Sequence, residues 1–135
     1  MVAKGSIRVP TKANVELVDI TDELSEELKA SGIRTGVMLV YVPHTTAALL
    51  VNENETGLVA DLTQAVQAIV DWRAPYRHNH VDNNAPSHIT GAILGPSVSL
   101  PVTDGKLALG TWQSVFLIEL DGPRSRRVVF AVTGE

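Results

Sequence analysis

Gly36-Val37-Met38-Leu39-Val40-Tyr41-Val42-Pro43-His44-Thr45-Thr46-Ala47-Ala48-Leu49-Leu50-Val51 is two apolar runs parted by a proline and a histidine. Val37 to Tyr41 show no polar alternation, so Gly36–Val42 reads as a strand buried on both faces. Proline has no N–H for a strand ladder, so the break at Pro43 places His44 at the end of a strand and not inside one. The second run, Thr45 to Val51, ends in the polar cluster Asn52-Glu53-Asn54-Glu55.

Toward the N-terminus, Ser6 to Pro10 alternates as a strand does, and Val15 to Ile20 reads as another after a turn at Lys12-Ala13-Asn14. Thr21-Asp22-Glu23-Leu24 has the pattern of a helix start, with Thr21 as N-cap and acids in the first turn. Leu24, Leu28 and Ile33 share one face, and Gly32 ends the helix.

Toward the C-terminus, Thr56 caps a second helix running to about Val70, with a stripe of Leu58, Leu62, Ala65, Val66 and Ile69. Ile89 to Leu94 reads as a helical turn or two in preference to a strand. Val98 to Val102 is a strand, Thr103-Asp104-Gly105 a hairpin turn, and Lys106 to Leu109 the return. Ser114 to Leu120 and Arg126 to Val132 are the last strands. Strands and helices do not alternate regularly. The expected fold is therefore α+β, one domain over 1–135, with a mixed, largely antiparallel sheet and two main helices.

The 135 residues carry a net charge of -4, and no dense basic face of the kind nucleic-acid binding needs. The chain contains no cysteine, which excludes disulfide and thiolate chemistry. No apolar run approaches the roughly 20 residues of a membrane span, and the first residues do not resemble a signal peptide. A soluble, cytoplasmic protein is expected, without nucleic-acid or membrane partners.

Chemistry concentrates where apolar runs end. Tyr76 to His88 holds three of the four histidines, an aspartate and three asparagines. Neutral imidazole is a common zinc ligand, and three protein ligands with an open position make a catalytic metal site. His44, His78 and His88 are the candidate metal ligands, though no pair has a recognised metal spacing. His80 reads as an exposed loop residue. Glu53, at the end of a buried run, is a candidate general base, whereas Glu55 suits the first turn of the following helix. Arg124, with Arg126 and Arg127 close behind it, offers a planar fork to phosphate or carboxylate; the alternative for the group is a solvated turn whose charges keep an edge strand from pairing. Gly110-Thr111-Trp112-Gln113 is a further polar patch, in which Trp112 walls a pocket or fills a core. There is no nucleophile elbow and no Gly-rich phosphate loop.

Several of these patches together resemble one family. They are Pro43-His44-Thr45-Thr46-Ala47-Ala48, Asn52-Glu53, His78, Asn84-Ala85, His88, Gly95-Pro96-Ser97, Asp104 to Gln113, and Glu119 with Asp121-Gly122-Pro123-Arg124. The chain resembles the YjbQ-like family, described as secondary thiamin-phosphate synthase enzymes, over nearly its whole length. That resemblance implies a small α+β protein assembling as a homotrimer. It implies a weak activity joining hydroxymethylpyrimidine diphosphate to thiazole phosphate, with a phosphorylated small molecule as ligand and the principal role open. It implies a His-rich metal or anion site at His44, His78 and His88, with zinc the expected divalent metal. His44, Glu53 and Arg124 are then the candidate catalytic residues. Thr45, Asn52, Asn84, Thr111 and Gln113 are the candidate substrate- and anion-binding ones. Where the family pattern has Asp-Asp-Asn-Ala, this chain has Asp82-Asn83-Asn84-Ala85, one negative charge fewer. The alternative reading is a trimeric module that binds metal or ligand without turnover.

Overall fold

Eight strands and three helices form three layers in a computed structural model that describes residues 1–135. In chain order they are β1 (Val2–Pro10), β2 (Glu16–Asp19), α1 (Thr21–Ser31), β3 (Gly36–Tyr41), β4 (Ala47–Glu53), α2 (Thr56–Ala68), α3 (Ala85–Leu94), β5 (Ser97–Thr103), β6 (Lys106–Leu107), β7 (Gln113–Glu119) and β8 (Ser125–Gly134). A single 3-10 turn, Arg77–His80, precedes α3. The first layer is a five-stranded sheet ordered β1-β8-β3-β5-β6, and the second a three-stranded sheet ordered β2-β7-β4. Every strand pair is antiparallel, so the expected mixed sheet is two antiparallel ones. The two expected helices are joined by a third, α3, of comparable length.

The main core lies between the sheets. Met38, Val40, Val128 and Val132 from the large sheet meet Leu49, Val115 and Leu117 from the small one, with Leu24 and Leu28 of α1 closing the side. The far face of the small sheet, through Ala48, Ile118 and Leu120, packs against Val66 of α2. The strand buried on both faces is therefore β7, in which Val115 to Glu119 are all buried. β3 was expected to be, but it alternates: Met38 and Val40 are buried, while Val37 is 48% exposed and Leu39 and Tyr41 each 42%. Both strands read as continuous apolar runs, and only the middle-layer strand has packing partners on two sides.

Two local expectations are revised and a third holds. Thr21 is the first residue of α1 and does not cap it. Its hydroxyl donates to Asp19 Oδ1 at 2.6 Å and accepts from the Val115 N–H at 2.8 Å, tying α1 to β7. α2 is capped by Glu55 in place of Thr56, its carboxylate accepting from the N–H groups of Gly57 and Leu58 at 2.6 and 3.0 Å. The carboxylate is at the positive end of the helix, as an acid there should be. The hairpin does form at Asp104-Gly105, with φ of 53° and 74°, the left-handed pair that a tight two-residue turn requires.

Arg126 is the largest departure. It lies in β8, between β1 and β3, so it guards no edge. It is 4% exposed and ion-paired with Glu119, which is 0% exposed. Arg126 Nε donates to Glu119 Oε1 at 2.8 Å, and Nη2 donates to Thr46 Oγ1 and to the Thr46 carbonyl at 2.9 and 3.1 Å. Glu119 also accepts from the Thr11 hydroxyl at 2.7 Å and from the N–H groups of Leu120 and Asp121, both at 3.0 Å. Burial alone would raise the Glu119 pKa, but hydrogen bonds from Arg126, Asp121 and Thr11 bring it below the ordinary carboxylate range.

Arg126→Met leaves a buried carboxylate without its cation and should cost about 3–5 kcal/mol in urea unfolding. In the wild type, a native pKa below the unfolded one means that this carboxylate's stabilisation is present above about pH 4.5 and lost as pH falls through the native value. A loss under about 1 kcal/mol in Arg126→Met would show that Glu119 is not left as a buried, unpaired charge.

Candidate functional site

The end of the small sheet where β4 begins and β7 finishes gathers most of the expected site residues. His44 and Thr45 lie on the loop entering β4. His88 is in the first turn of α3 and faces them across a cavity of ≈ 560 Å³, which His44, Thr45, His88 and Gly91 line. Two small residues bring α3 this close. A Cβ on Gly91 would lie 3.4 and 3.5 Å from the carbonyl oxygens of Thr45 and Ala47, already at contact distance. The Ser87 hydroxyl, 1% exposed, donates to the Leu120 carbonyl at 2.6 Å and ties the helix start to the end of β7. Ser87 is thus a structural anchor.

His78 stands on the other side of His88, ring centroids 4.6 Å apart in an edge-to-face arrangement. A chain of hydrogen bonds runs from it across the α3 N-cap residue, Asn84. Asn84 Nδ2 donates to Asp121 Oδ2 at 2.8 Å, and His78 Nε2 lies 3.0 Å from Asn84 Oδ1. An ionised carboxylate only accepts, which fixes the amide orientation and makes Oδ1 the acceptor for His78. The neutral imidazole of His78 therefore carries its proton on Nε2 and has a free lone pair on Nδ1. Asp121 is also paired with Arg124, whose Nη2 donates to Oδ2 at 3.0 Å and whose Nε donates to the Asp121 carbonyl at 2.7 Å.

His44 is fixed in the opposite tautomer. Its Nε2 accepts from the Arg127 N–H at 3.0 Å, so the neutral ring carries its proton on Nδ1. Burial, followed by the charge of Arg126, holds its pKa below the usual histidine value.

His44, Thr45, His78, Asn84, His88 and Arg124 thus share one end of the molecule. The remaining expected residues do not join them. Asn52 and Glu53 are at the far end of β4, paired in register with Ser114 and Gln113 of β7. Seven residues of strand separate the two ends, roughly 20 Å. Glu53, Thr111, Trp112 and Gln113 line a separate cavity of ≈ 430 Å³. Gln113 Oε1 accepts from the Gly110 N–H at 2.8 Å, closing the turn between them. Within one chain, Glu53 is no base for the histidine cavity, because β4 runs straight between them.

The zinc expectation meets a similar limit. No three of His, Cys, Asp and Glu come together in the chain as a metal-binding set. His44 Nε2 and His78 Nε2 are both occupied by protein partners. Sequence reasoning missed Gly91, Ser87 and Asp121 as site-building residues. Only Asp121, inside Asp121-Gly122-Pro123-Arg124, carried any signal.

A three-layer α+β domain with histidines at the end of its inner sheet defines the class of protein. The chain belongs to the UPF0047 protein YjbQ-like family, whose pattern it matches over residues 5–135. It is 46% identical over 125 residues to a UPF0047 protein of Methanothermobacter thermautotrophicus, covering 93% of this chain and 87% of that one. Its fold is similar to the crystal structure of a YbjQ-like protein of unknown function from Sulfolobus solfataricus P2, with TM-score 0.97, 40% identity and coverage of 100% and 99% of the two chains. A hypothetical protein from Aeropyrum pernix K1 is similar too, with TM-score 0.95, 41% identity and coverage of 98% and 99%.

The His44 geometry predicts an Nδ1–H tautomer at neutral pH and a titration midpoint below 6.5 in nitrogen-15 NMR. A native pKa below the unfolded one makes its contribution to stability complete above pH 6.5 and lost as pH falls through the native midpoint. A midpoint at or above 6.5 would contradict this arrangement.

Proposed function

We propose that the chain binds a small phosphorylated molecule in the cavity between His44 and His88. The observation that carries this reading is the place of His88, which lines the His44 cavity and stacks edge-on against His78. His44 offers its Nδ1–H, and His88 adds a second imidazole to the wall of the same cavity. Arg124, half exposed, holds a guanidinium in fixed orientation through Asp121. Donors and a cation held in place suit phosphate oxygens and cost little reorganisation on binding.

The family resemblance extends the reading to a weak thiamin-phosphate synthase activity. In that transfer the bond from the pyrimidine methylene to diphosphate oxygen breaks, and the thiazole nitrogen forms a new bond to the methylene. Diphosphate leaves with the electron pair. The imidazole and guanidinium donors would stabilise that departing charge. A divalent metal, zinc above all, belongs to this reading as a ligand that one chain does not enclose, and no step is assigned to it. A homotrimer belongs to it as well. The alternative is a binding module without turnover, favoured by the distance between Glu53 and the cavity.

His44→Ala and His88→Ala are each expected to weaken binding of inorganic diphosphate roughly tenfold or more in calorimetry, the worth of a charge-assisted hydrogen bond. Circular dichroism should stay unchanged. Wild-type affinity in the double variant would sink the proposal. Turnover with the two thiamin precursors, measured against a no-enzyme background, separates the transferase from the binding module, and elemental analysis gives the zinc content.

A further inference from the structure

Residues 71–83, between α2 and α3, include no buried residue. Every hydrogen bond they make stays within residues 71–85. The Tyr76 hydroxyl donates to the Asp71 carbonyl at 2.7 Å, and the Arg73 N–H donates to Asp71 Oδ1 at 2.8 Å. The N–H groups of Tyr76, Asn79, Val81 and Asp82 all donate to carbonyls inside the segment. None of its charged residues, Asp71, Arg73, Arg77 and Asp82, enters an ion pair. The segment has a structure of its own and little that fastens it to the sheets.

Its boundary at Asn84 is sharp. Asn84 to Ser87 are all buried, and Asn84 and Ser87 are tied to Asp121 and to the Leu120 carbonyl. Two side-chain hydrogen bonds join the segment to this anchored helix start. One is between His78 Nε2 and Asn84 Oδ1, and in the other the Ala85 N–H donates to Asn79 Oδ1 at 3.1 Å. Trp72 adds a cost to the arrangement. Its indole N–H is buried with no partner, a cost that access to water removes.

The segment covers part of the site. Tyr76, Arg77 and His78 wall one side of a cavity of ≈ 500 Å³, and Ala85, His88 and Ile89 of α3 wall the other. His88 also lines the His44 cavity, so the two hollows meet at its ring.

We infer that residues 71–83 open and close as one unit, a lid beside His88 whose latch is Asn79 and His78. Segments with few buried contacts open at low free energy, and the lids of binding sites are drawn from them. Closure sets His78 against His88. Opening uncovers the hollow beside His88 and gives the Trp72 N–H to water. That the lid admits a phosphorylated ligand rests on the reading of the histidine cavity as the site, but the motion is tested without any ligand.

Amide hydrogen exchange on the whole chain is the first test. The Tyr76, Asn79, Val81 and Asp82 amides should exchange with one common free energy of opening, well ahead of the β7 amides. Asn79→Ala removes half of the latch and should speed all four by the same factor, about fivefold, the worth of one hydrogen bond. Circular dichroism should not change. Protection equal to that of β7, or an effect of Asn79→Ala confined to its immediate neighbours, would overturn the inference. A second arm uses the absence of cysteine. Ala85 is 3% exposed and faces the lid's cavity, so the thiol of Ala85→Cys should react with dithionitrobenzoate only on opening. Adding Asn79→Ala should speed that reaction by the same factor, and a thiol as reactive as free cysteine in Ala85→Cys alone would overturn the inference. Failure of diphosphate to bind, with the opening intact, would count only against the ligand reading.

Discussion

The Glu119–Arg126 ion pair is the constraint on which one whole end of the molecule depends. Its two side chains come from β7 and β8, one in each sheet, and it is the only buried ion pair between the layers. Removing two charges from water is expensive, and the pair is tolerable only because other hydrogen bonds satisfy its remaining atoms. Those bonds reach three separate segments. Thr11 follows β1, Thr46 precedes β4, and the Leu120–Asp121 amides open the turn to β8. The pair therefore fixes where the His44 loop leaves the large sheet and where the Asp121 turn begins.

From those two segments the site follows in order. The loop carries His44, whose ring takes the Arg127 N–H, and the turn carries Asp121, which orients Asn84 and Arg124. Asn84 in turn fixes His78, and Ser87 and Gly91 bring His88 against the loop. A buried charge pair thus sets tautomers and orientations several residues away. Such preorganisation lowers the cost of binding a ligand. The same sheet carries Glu53 and Trp112 to its other end, so the chain holds two separate polar clusters of different chemistry.

Much of this was legible from residue patterns. Pro43 correctly marked the end of β3 and put His44 on a loop, because proline's missing N–H is a local fact. The hairpin at Asp104-Gly105 was legible for the same reason. The family motifs pointed to His44, His78, His88, Asn84 and Arg124, which lie at one end of the molecule, and equally to Asn52, Glu53, Thr111 and Gln113, which lie at the other. Layer position was not legible: Val37-Met38-Leu39-Val40-Tyr41 and Val115-Phe116-Leu117-Ile118 are equally apolar, yet only the second is covered on both faces. Nor was the distance from His44 to Glu53. A motif written along a line does not say that a strand runs straight between its two halves. Arg126 looked like a solvated charge because its partner, Glu119, is across a turn that sequence alone does not fold.

The buried pair holds the site end in place, as distinct from holding the fold together. Replacing both partners with apolar residues separates the two, since such replacements are often neutral or stabilising. Amide hydrogen exchange on the folded Glu119→Leu, Arg126→Met double variant is the direct test. Faster exchange is expected at Asp121, Arg124 and Arg127, with the β3–β5 amides unchanged. Wild-type protection at those three amides in a folded double variant would contradict it.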